Sequence, residues 1–272
     1  VLRILEKDKT HINLNDLGFS TETLDSFKKG LSKTEGIILV TGPTGSGKTT
    51  SLYAGLKEIS DRSQNILTIE DPVEYALDGI GQTQVNNKTG LTFAKGLRAI
   101  LRQDPDIVMV GEIRDKETAE IAIQASLTGH LVLSTVHTNS AVNAITRLRD
   151  MGIEPYLLSS SLVYVLSQRL VRKLCDKCKV IDDDPKSLKI LEKYNISDVI
   201  YKSCGCDECE HTGFKGRLSV GEHILMDEKI SDLIHKSASE NEIADYAYSN
   251  NKKLFENGLL VLKDGKTSIS EL

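Results

Sequence analysis

The chain has no apolar run approaching the ~18 residues a bilayer-spanning helix requires, so no segment reads as a transmembrane span. It has no surplus of positive charge: 34 Lys and Arg stand against 39 Asp and Glu, a net charge of −5. That balance argues against a nucleic-acid footprint spread over the whole surface. Its opening residues do not read as a secretory leader, because Arg3 and Glu6 interrupt the apolar stretch almost at once. It has no internal repeat and no low-complexity linker. It also lacks an initiator Met, which points to a segment cut from a longer protein, with residues 1–15 as the remnant of a preceding domain. The expected setting is cytosolic, where disulfides are rare, and this governs how its five cysteines are read.

What remains is ample for a core. The 272 residues are 39% hydrophobic and 27% charged, which suits one large domain or a main domain with small appendages. Short apolar runs at 37–41, 66–69, 107–110 and 131–135 read as strands, each ending in polar residues. Between them, 50–59, 92–102, 117–127 and 140–151 carry apolar residues at helical spacing. Pro155 opens a further predicted helix over 156–173. The alternation predicts a largely parallel sheet covered by helices, with ligands beyond the carboxyl ends of the strands.

The first strand runs into Gly42, Pro43, Thr44, Gly45, Ser46, Gly47, Lys48 and Thr49, followed by Thr50 and a helical stretch. This is G-x-x-x-x-G-K-[ST] in the strand–loop–helix context it requires. The glycines let successive N–H groups converge on phosphate oxygens at a helix N-terminus. Lys48 supplies a point charge for the β- and γ-phosphates, and the Thr49 hydroxyl is placed to ligate Mg²⁺. The expected ligand is a nucleoside triphosphate.

The second strand ends in Glu70, Asp71, Pro72, Val73 and Glu74. Carboxylates beside a nucleotide can hold Mg²⁺ through water or polarise an attacking water, or they can form a solvated acidic loop. The third strand ends Gly111-Glu112, so glycine stands where such ATPases usually place an aspartate and Glu112 must carry the charge. Arg98 and Arg102 share a predicted helix face, and Arg114 follows Glu112. They are candidates for transition-state stabilisation, for a subunit contact, or for surface solvation. His137 falls at the carboxyl end of the fourth strand, where it could sense a γ-phosphate. His130 stands at its start and is expected to pack or bond a neighbour.

Cys175-x-x-Cys178 and Cys206-x-x-Cys209 are separated by 27 residues. Two such knuckles suit tetrahedral Zn²⁺, with a disulfide or a redox dithiol as the alternatives. The gap is longer than in the commonest zinc ribbons. Cys204 is the odd one out.

In order, GPTGSGKTT, TIEDPVEY, LRQDPDIVMVGEIRD and TGHLVLSTVHTN resemble the four motifs of the secretion ATPase superfamily, the hexameric motors of type II secretion and type IV pilus systems. IGQTQVN, RAILR and LSQRLVR are closer to the type II secretion branch. The resemblance implies that Glu74 is the catalytic glutamate and Glu112 the Mg²⁺-site glutamate. It implies that Arg98, Arg102 and Arg114 serve the active site or subunit contacts, and that Arg3 reaches the nucleotide from the boundary with the preceding domain. It also implies a tetracysteine zinc module at Cys175, Cys178, Cys206 and Cys209.

The fold expected is α/β: a RecA-like P-loop NTPase core over 16–174, a zinc module over 175–221 and a helical C-terminal part over 222–272. The function expected is ATP hydrolysis driving pseudopilus growth and protein export, with a type IV pilus assembly ATPase as the nearest rival. A metabolic kinase or a non-hydrolysing scaffold are the other classes. ATP, Mg²⁺ and Zn²⁺ are the implied cofactors. The implied partners are further copies in a homo-hexamer and inner-membrane secretion proteins that dock N-terminal domains, with no nucleic acid and no direct membrane insertion. The implied location is cytoplasmic, peripheral at the inner membrane.

Overall fold

Strand residues of period two divide the core into two halves. In β1 (Gly36–Thr41), Ile37 and Leu39 join one buried cluster while Ile38 and Val40 join another. β4 (Ile107–Val110) sends Val108 and Val110 one way, and Ile107 and Met109 the other. β5 (Leu131–Val136) divides likewise between Val132 and Val136 on one side and Leu131 and Leu133 on the other. Strands apolar on both faces are the mark of a sheet sandwiched between helices. The structure, a computed structural model, describes residues 13–272.

Among the described residues the sheet has seven strands, in the order β3 (Gly81–Gln84), β2 (Ile66–Glu70), β4, β5, β1, β6 (Leu162–Leu174) and β9 (Phe214–Leu225). β2 and β3 continue the parallel set on one side. On the other, β6 pairs parallel with β1, and β9 pairs antiparallel with β6. α1 (Thr21–Leu31) and α2 (Lys48–Ile59) cover one face. α3 (Phe93–Ile100), α4 (Lys116–Leu127) and α5 (Ala141–Asp150) cover the other. The four expected strands and their four helices therefore form within one or two residues of the expected bounds.

One expectation is corrected. The helix predicted over 156–173 stops after α6 (Pro155–Ser161), and the chain becomes β6. The run Leu162-Val163-Tyr164-Val165-Leu166 is rich in β-branched and aromatic residues, which favour a pleated strand. β6 lies between β1 and β9, and its first half is buried on both faces, so that run shows none of the alternation that separates strand from helix.

β6 leads into an insertion that carries the first cysteine pair, a two-stranded sheet of β7 (Val180–Ile181) and β8 (Tyr201–Lys202), and α7 (Pro185–Lys193). α8 (Glu228–His235), α9 (Glu240–Ala247) and α10 (Leu254–Lys263) follow β9. Leu191, Ile196 and Ile200 of the insertion form a separate apolar cluster with Leu259 and Leu262 of α10. Each such side chain contributes about 1.5–3 kcal/mol on burial, so the insertion is fastened to the C-terminal helix independently of its cysteines. Among the described residues no helix is long and apolar enough to cross a membrane.

Candidate active site

The loop leaving β1 turns where side chains cannot follow. Gly42 has φ +147°, and a Cβ there would lie 2.5 Å from both the Gln168 carbonyl oxygen and Ser46 Oγ. Gly47, at the N-cap of α2, is left-handed and offers no side-chain cap. By contrast α3, α4 and α5 are capped by Thr92, Asp115 and Ser140. The first N–H groups of α2 are thus left to an outside acceptor, at the end of the helix where the dipole favours an anion. Thr44 and Gly45 are exposed at the loop tip, Pro43 is exposed beside them, and Thr49 and Thr50 lie half-buried in the first turn.

Lys48 is buried, and its Nζ donates to the carbonyl oxygens of Gly42 and Pro43, each at 3.0 Å. Burial lowers its pKa, the Glu112 carboxylate opposes that shift, and Arg169 adds to it. Ser46 Oγ is buried inside the loop with no partner among the described residues. Open N–H groups, a buried ammonium and an orphaned hydroxyl form a donor set that fits phosphate.

Two residues that brace this loop went unrecognised in the sequence. Gln168 of β6 is fully buried; its Nε2 donates to the Ser46 carbonyl at 2.6 Å, and its Oε1 accepts from the Ser51 hydroxyl of α2 at 2.8 Å. Arg169 donates to the Gln168 carbonyl and to Asn139 Oδ1, both at 3.2 Å. Thr41, the last residue of β1, lies 2.6 Å hydroxyl to hydroxyl from Thr138 and accepts the Thr138 N–H at 2.9 Å. This holds the phosphate loop to the segment after β5. In the sequence both Gln168 and Arg169 fall inside the stretch that reads as a helix over 156–173, so no local pattern sets them beside the phosphate loop.

The acidic candidates separate into different roles. Glu70 is buried and bonded by Tyr53, Thr68 and Gln82, so it faces the core. Asp71 is exposed at a cis bond to Pro72. Glu74 is half-buried, and its backbone N–H donates to the Tyr53 hydroxyl at 3.4 Å. Glu112 stands past the end of β4, with Oε1 3.1 Å from His137 Nε2 and Oε2 2.7 Å from Arg114. That contact raises the Arg114 pKa. His130, at the opposite end of β5, places Nδ1 2.9 Å from the Ala125 carbonyl oxygen.

Glu112, His137, Arg114 and Lys48 are therefore brought together at the carboxyl ends of β1, β4 and β5. Arg98 and Arg102 are not. Both are exposed: Arg98 on α3 pairs with Glu117 of α4 at 2.5 Å, while α3 ends at Ile100 and leaves Arg102 in the following turn, donating to the Arg98 carbonyl at 2.8 Å. Arg3 lies outside the described residues.

The four paired cysteines converge, and their Sγ atoms all lie within 4.8 Å of one another. Cys175–Cys206 is 3.9 Å, while Cys178–Cys209 and Cys206–Cys209 are both 3.8 Å. Tetrahedral Zn–S bonds of about 2.3 Å imply S···S edges of about 3.8 Å, so the set fits zinc. Backbone N–H groups of Gly205, Cys206 and Gly213 donate to the sulfurs of Cys178, Cys209 and Cys209 at 3.2–3.3 Å, an arrangement that favours thiolate. Desolvation raises the Cys209 thiol, but the N–H groups of Cys206 and Gly213 and the neighbouring thiols outweigh it and bring it to about 6. Cys204 is exposed and stands outside the cluster.

A parallel sheet with a glycine loop feeding the helix after β1, flanked by acid-tipped strands, is a RecA-like P-loop NTPase fold, here carrying a four-cysteine cluster that fits a zinc module. Within that class the chain belongs to the family described as "Type II/IV secretion system protein", which it matches over residues 1–272. It is 52% identical over 274 residues to the type II secretion system ATPase E of Vibrio cholerae, covering 100% of this chain and 54% of that protein. It is 49% identical over 277 residues to the type IV pilus assembly ATPase PilB of Thermus thermophilus, covering 100% of this chain and 31% of that protein. The chain thus spans about half or less of the length of these relatives. A solved structure of the pilus retraction motor PilT with bound ADP superposes with a TM-score of 0.71 at 29% identity, covering 96% of this chain and 65% of that one.

Proposed function

We propose that this chain is the ATP-hydrolysing part of a type II secretion motor, which drives pseudopilus growth and protein export across the outer membrane. The observation that carries the reading is the convergence of Lys48 at the open N-terminus of α2 with Glu112, His137 and Arg114. The phosphate loop, residues 42–49, would take the triphosphate, with Lys48 turning from the loop carbonyls to the phosphate oxygens. Thr49 and Glu112 would hold Mg²⁺, which neutralises charge on the β- and γ-phosphates when bound. Glu74 would orient or deprotonate the attacking water, and Arg114 would offset transition-state charge. Arg98 is engaged with Glu117 of α4 and Arg102 with the Arg98 carbonyl, so any part they play would belong to a neighbouring subunit's site; Arg3 would reach the nucleotide from the preceding domain. The working assembly is a homo-hexamer, peripheral at the inner membrane, docked there by N-terminal domains. Cys175, Cys178, Cys206 and Cys209 would hold structural Zn²⁺.

Near-equal identity to a pilus assembly ATPase favours that motor as the second reading. The two differ in their membrane partner, and binding to the inner-membrane proteins of each system separates them. The motor reading itself rests on turnover: Lys48→Ala should abolish phosphate release, and near-normal release from that variant would overturn it.

A further inference from the structure

Tyr53 lies one turn beyond Lys48 and Thr49 on α2, fully buried, and its hydroxyl is the hub of a network that the phosphate site does not use. Its O–H donates to Glu70. The same oxygen accepts from Gln82 Nε2 at 3.2 Å and from the Glu74 backbone N–H at 3.4 Å. Gln82, on the edge strand β3, also donates to Glu70 and to the Tyr75 carbonyl, both at 3.1 Å, and accepts the Leu77 N–H at 2.7 Å. The Tyr53 and Tyr75 rings meet edge to face at 4.8 Å. Residues on both sides of Glu74 are therefore tied to one buried node.

Every polar group of the network has a partner, the two Gln82 Nε2 protons being shared among three acceptors. Tyr53 has a single hydroxyl proton and gives it to Glu70, leaving its lone pairs for Gln82 and Glu74. Glu70 takes Thr68 Oγ1 at 2.5 Å as well. Burial raises the Tyr53 pKa and the neighbouring Glu70 raises it further, so the hydroxyl stays a donor. Such fully satisfied buried networks hold one conformation, because each alternative leaves a polar group without a partner. A loop whose carboxylate must meet a water at a γ-phosphate needs that rigidity, and α2 supplies it from the helix that the phosphates themselves cap.

We infer that Tyr53, with Glu70 and Gln82, is a positioning residue that fixes Glu74 relative to the phosphate loop. The inference rests on the assignment of Glu74 as the carboxylate acting on water. It touches neither the nucleotide nor the water, so its loss acts on the chemical step alone.

The test is Tyr53→Phe in the full chain, which keeps the ring and deletes the hydroxyl, with Gln82→Met as a second variant of similar volume. Turnover should fall about 10- to 100-fold, as an ångström-scale misplacement does. KM for ATP and nucleotide affinity should hold, at temperatures where both variants remain folded. In a Glu74→Gln background, Tyr53→Phe should cause little further loss, since both act through one carboxylate. An undiminished kcat in both variants, a loss shared between KM and kcat, or a full additive loss on Glu74→Gln would overturn the inference. If Glu74→Gln alone turns over normally, the assignment of Glu74 falls and takes the inference with it, an outcome distinct from failure at Tyr53.

Discussion

Glu112 reaches two side chains at once: Oε1 lies 3.1 Å from His137 Nε2 and Oε2 lies 2.7 Å from the Arg114 guanidinium. The carboxylate is mostly shielded while both partners are substantially exposed. A carboxylate held in this way suits the outer coordination of a metal between phosphate loop and strand end. Glu112→Gln keeps the shape and removes the charge. Mg²⁺ affinity or turnover should fall about 10- to 100-fold. A titration of phosphate release against Mg²⁺ measures it, and an unchanged midpoint and rate would sink the role.

Gln168 ties the phosphate loop to the sheet from beneath, through the Ser46 carbonyl and the Ser51 hydroxyl. Gln168→Met fills the same space and leaves both groups buried without a partner, at about 1–3 kcal/mol. The thermal midpoint should drop by about 2–4 °C for each kcal/mol in a chain of this size. Nucleotide affinity should weaken alongside, because the Ser46 peptide is part of the cradle. Intact affinity with a lowered midpoint would make Gln168 a core residue only.

Why Gln168 escaped notice shows what a sequence carries. The glycines of the phosphate loop, the end of β4 at Gly111-Glu112 and the cysteine spacing are local patterns, and each lies where its pattern places it. The role of Gln168 depends on β6 pairing with β1, a contact across more than a hundred residues. The first half of β6, residues 162–166, is a continuous apolar run, so its periodicity does not even distinguish strand from helix. Glu70 shows the converse. Local pattern groups it with Glu74, yet period two turns Glu70 into the core, where Tyr53 from another element satisfies it. Arg98 and Arg102 have the same ambiguity: their spacing of four suggests a shared helix face, yet α3 ends at Ile100 and leaves Arg102 in the turn.

The cysteine cluster should be filled by one Zn²⁺ per chain, and Cys209→Ser should empty it. Cys209 is the best-supported sulfur, with N–H groups from both Cys206 and Gly213. Metal loss should loosen the strand-poor stretch near Cys206 first, because Leu191 and Ile200 remain packed on α10. Metal analysis paired with limited proteolysis reads both effects. Full zinc in Cys209→Ser, or cleavage spread evenly over the chain, would contradict the assignment.

His223 sits in β9, buried against Tyr164 with ring centroids 5.8 Å apart and with Nδ1 unpartnered among the described residues. Burial pulls its pKa below the ordinary histidine value, and the carboxylates of Glu22 and Glu222 only partly offset that. The unfolded chain therefore takes up a proton near the ordinary value of about 6.5 while the folded chain does not. Stability due to neutral His223 is present above that pH, declines as pH falls below it, and stops declining once the folded-state pKa is passed. His223→Leu cannot titrate and removes the orphaned nitrogen. Thermal midpoints from pH 7 down to pH 5 should fall less in this variant than in the parent. Acid release of metal from the cysteines is common to both proteins, so the difference between the two curves isolates the histidine. Parallel curves would mean that His223 is protonated in the folded state or that its burial is relieved.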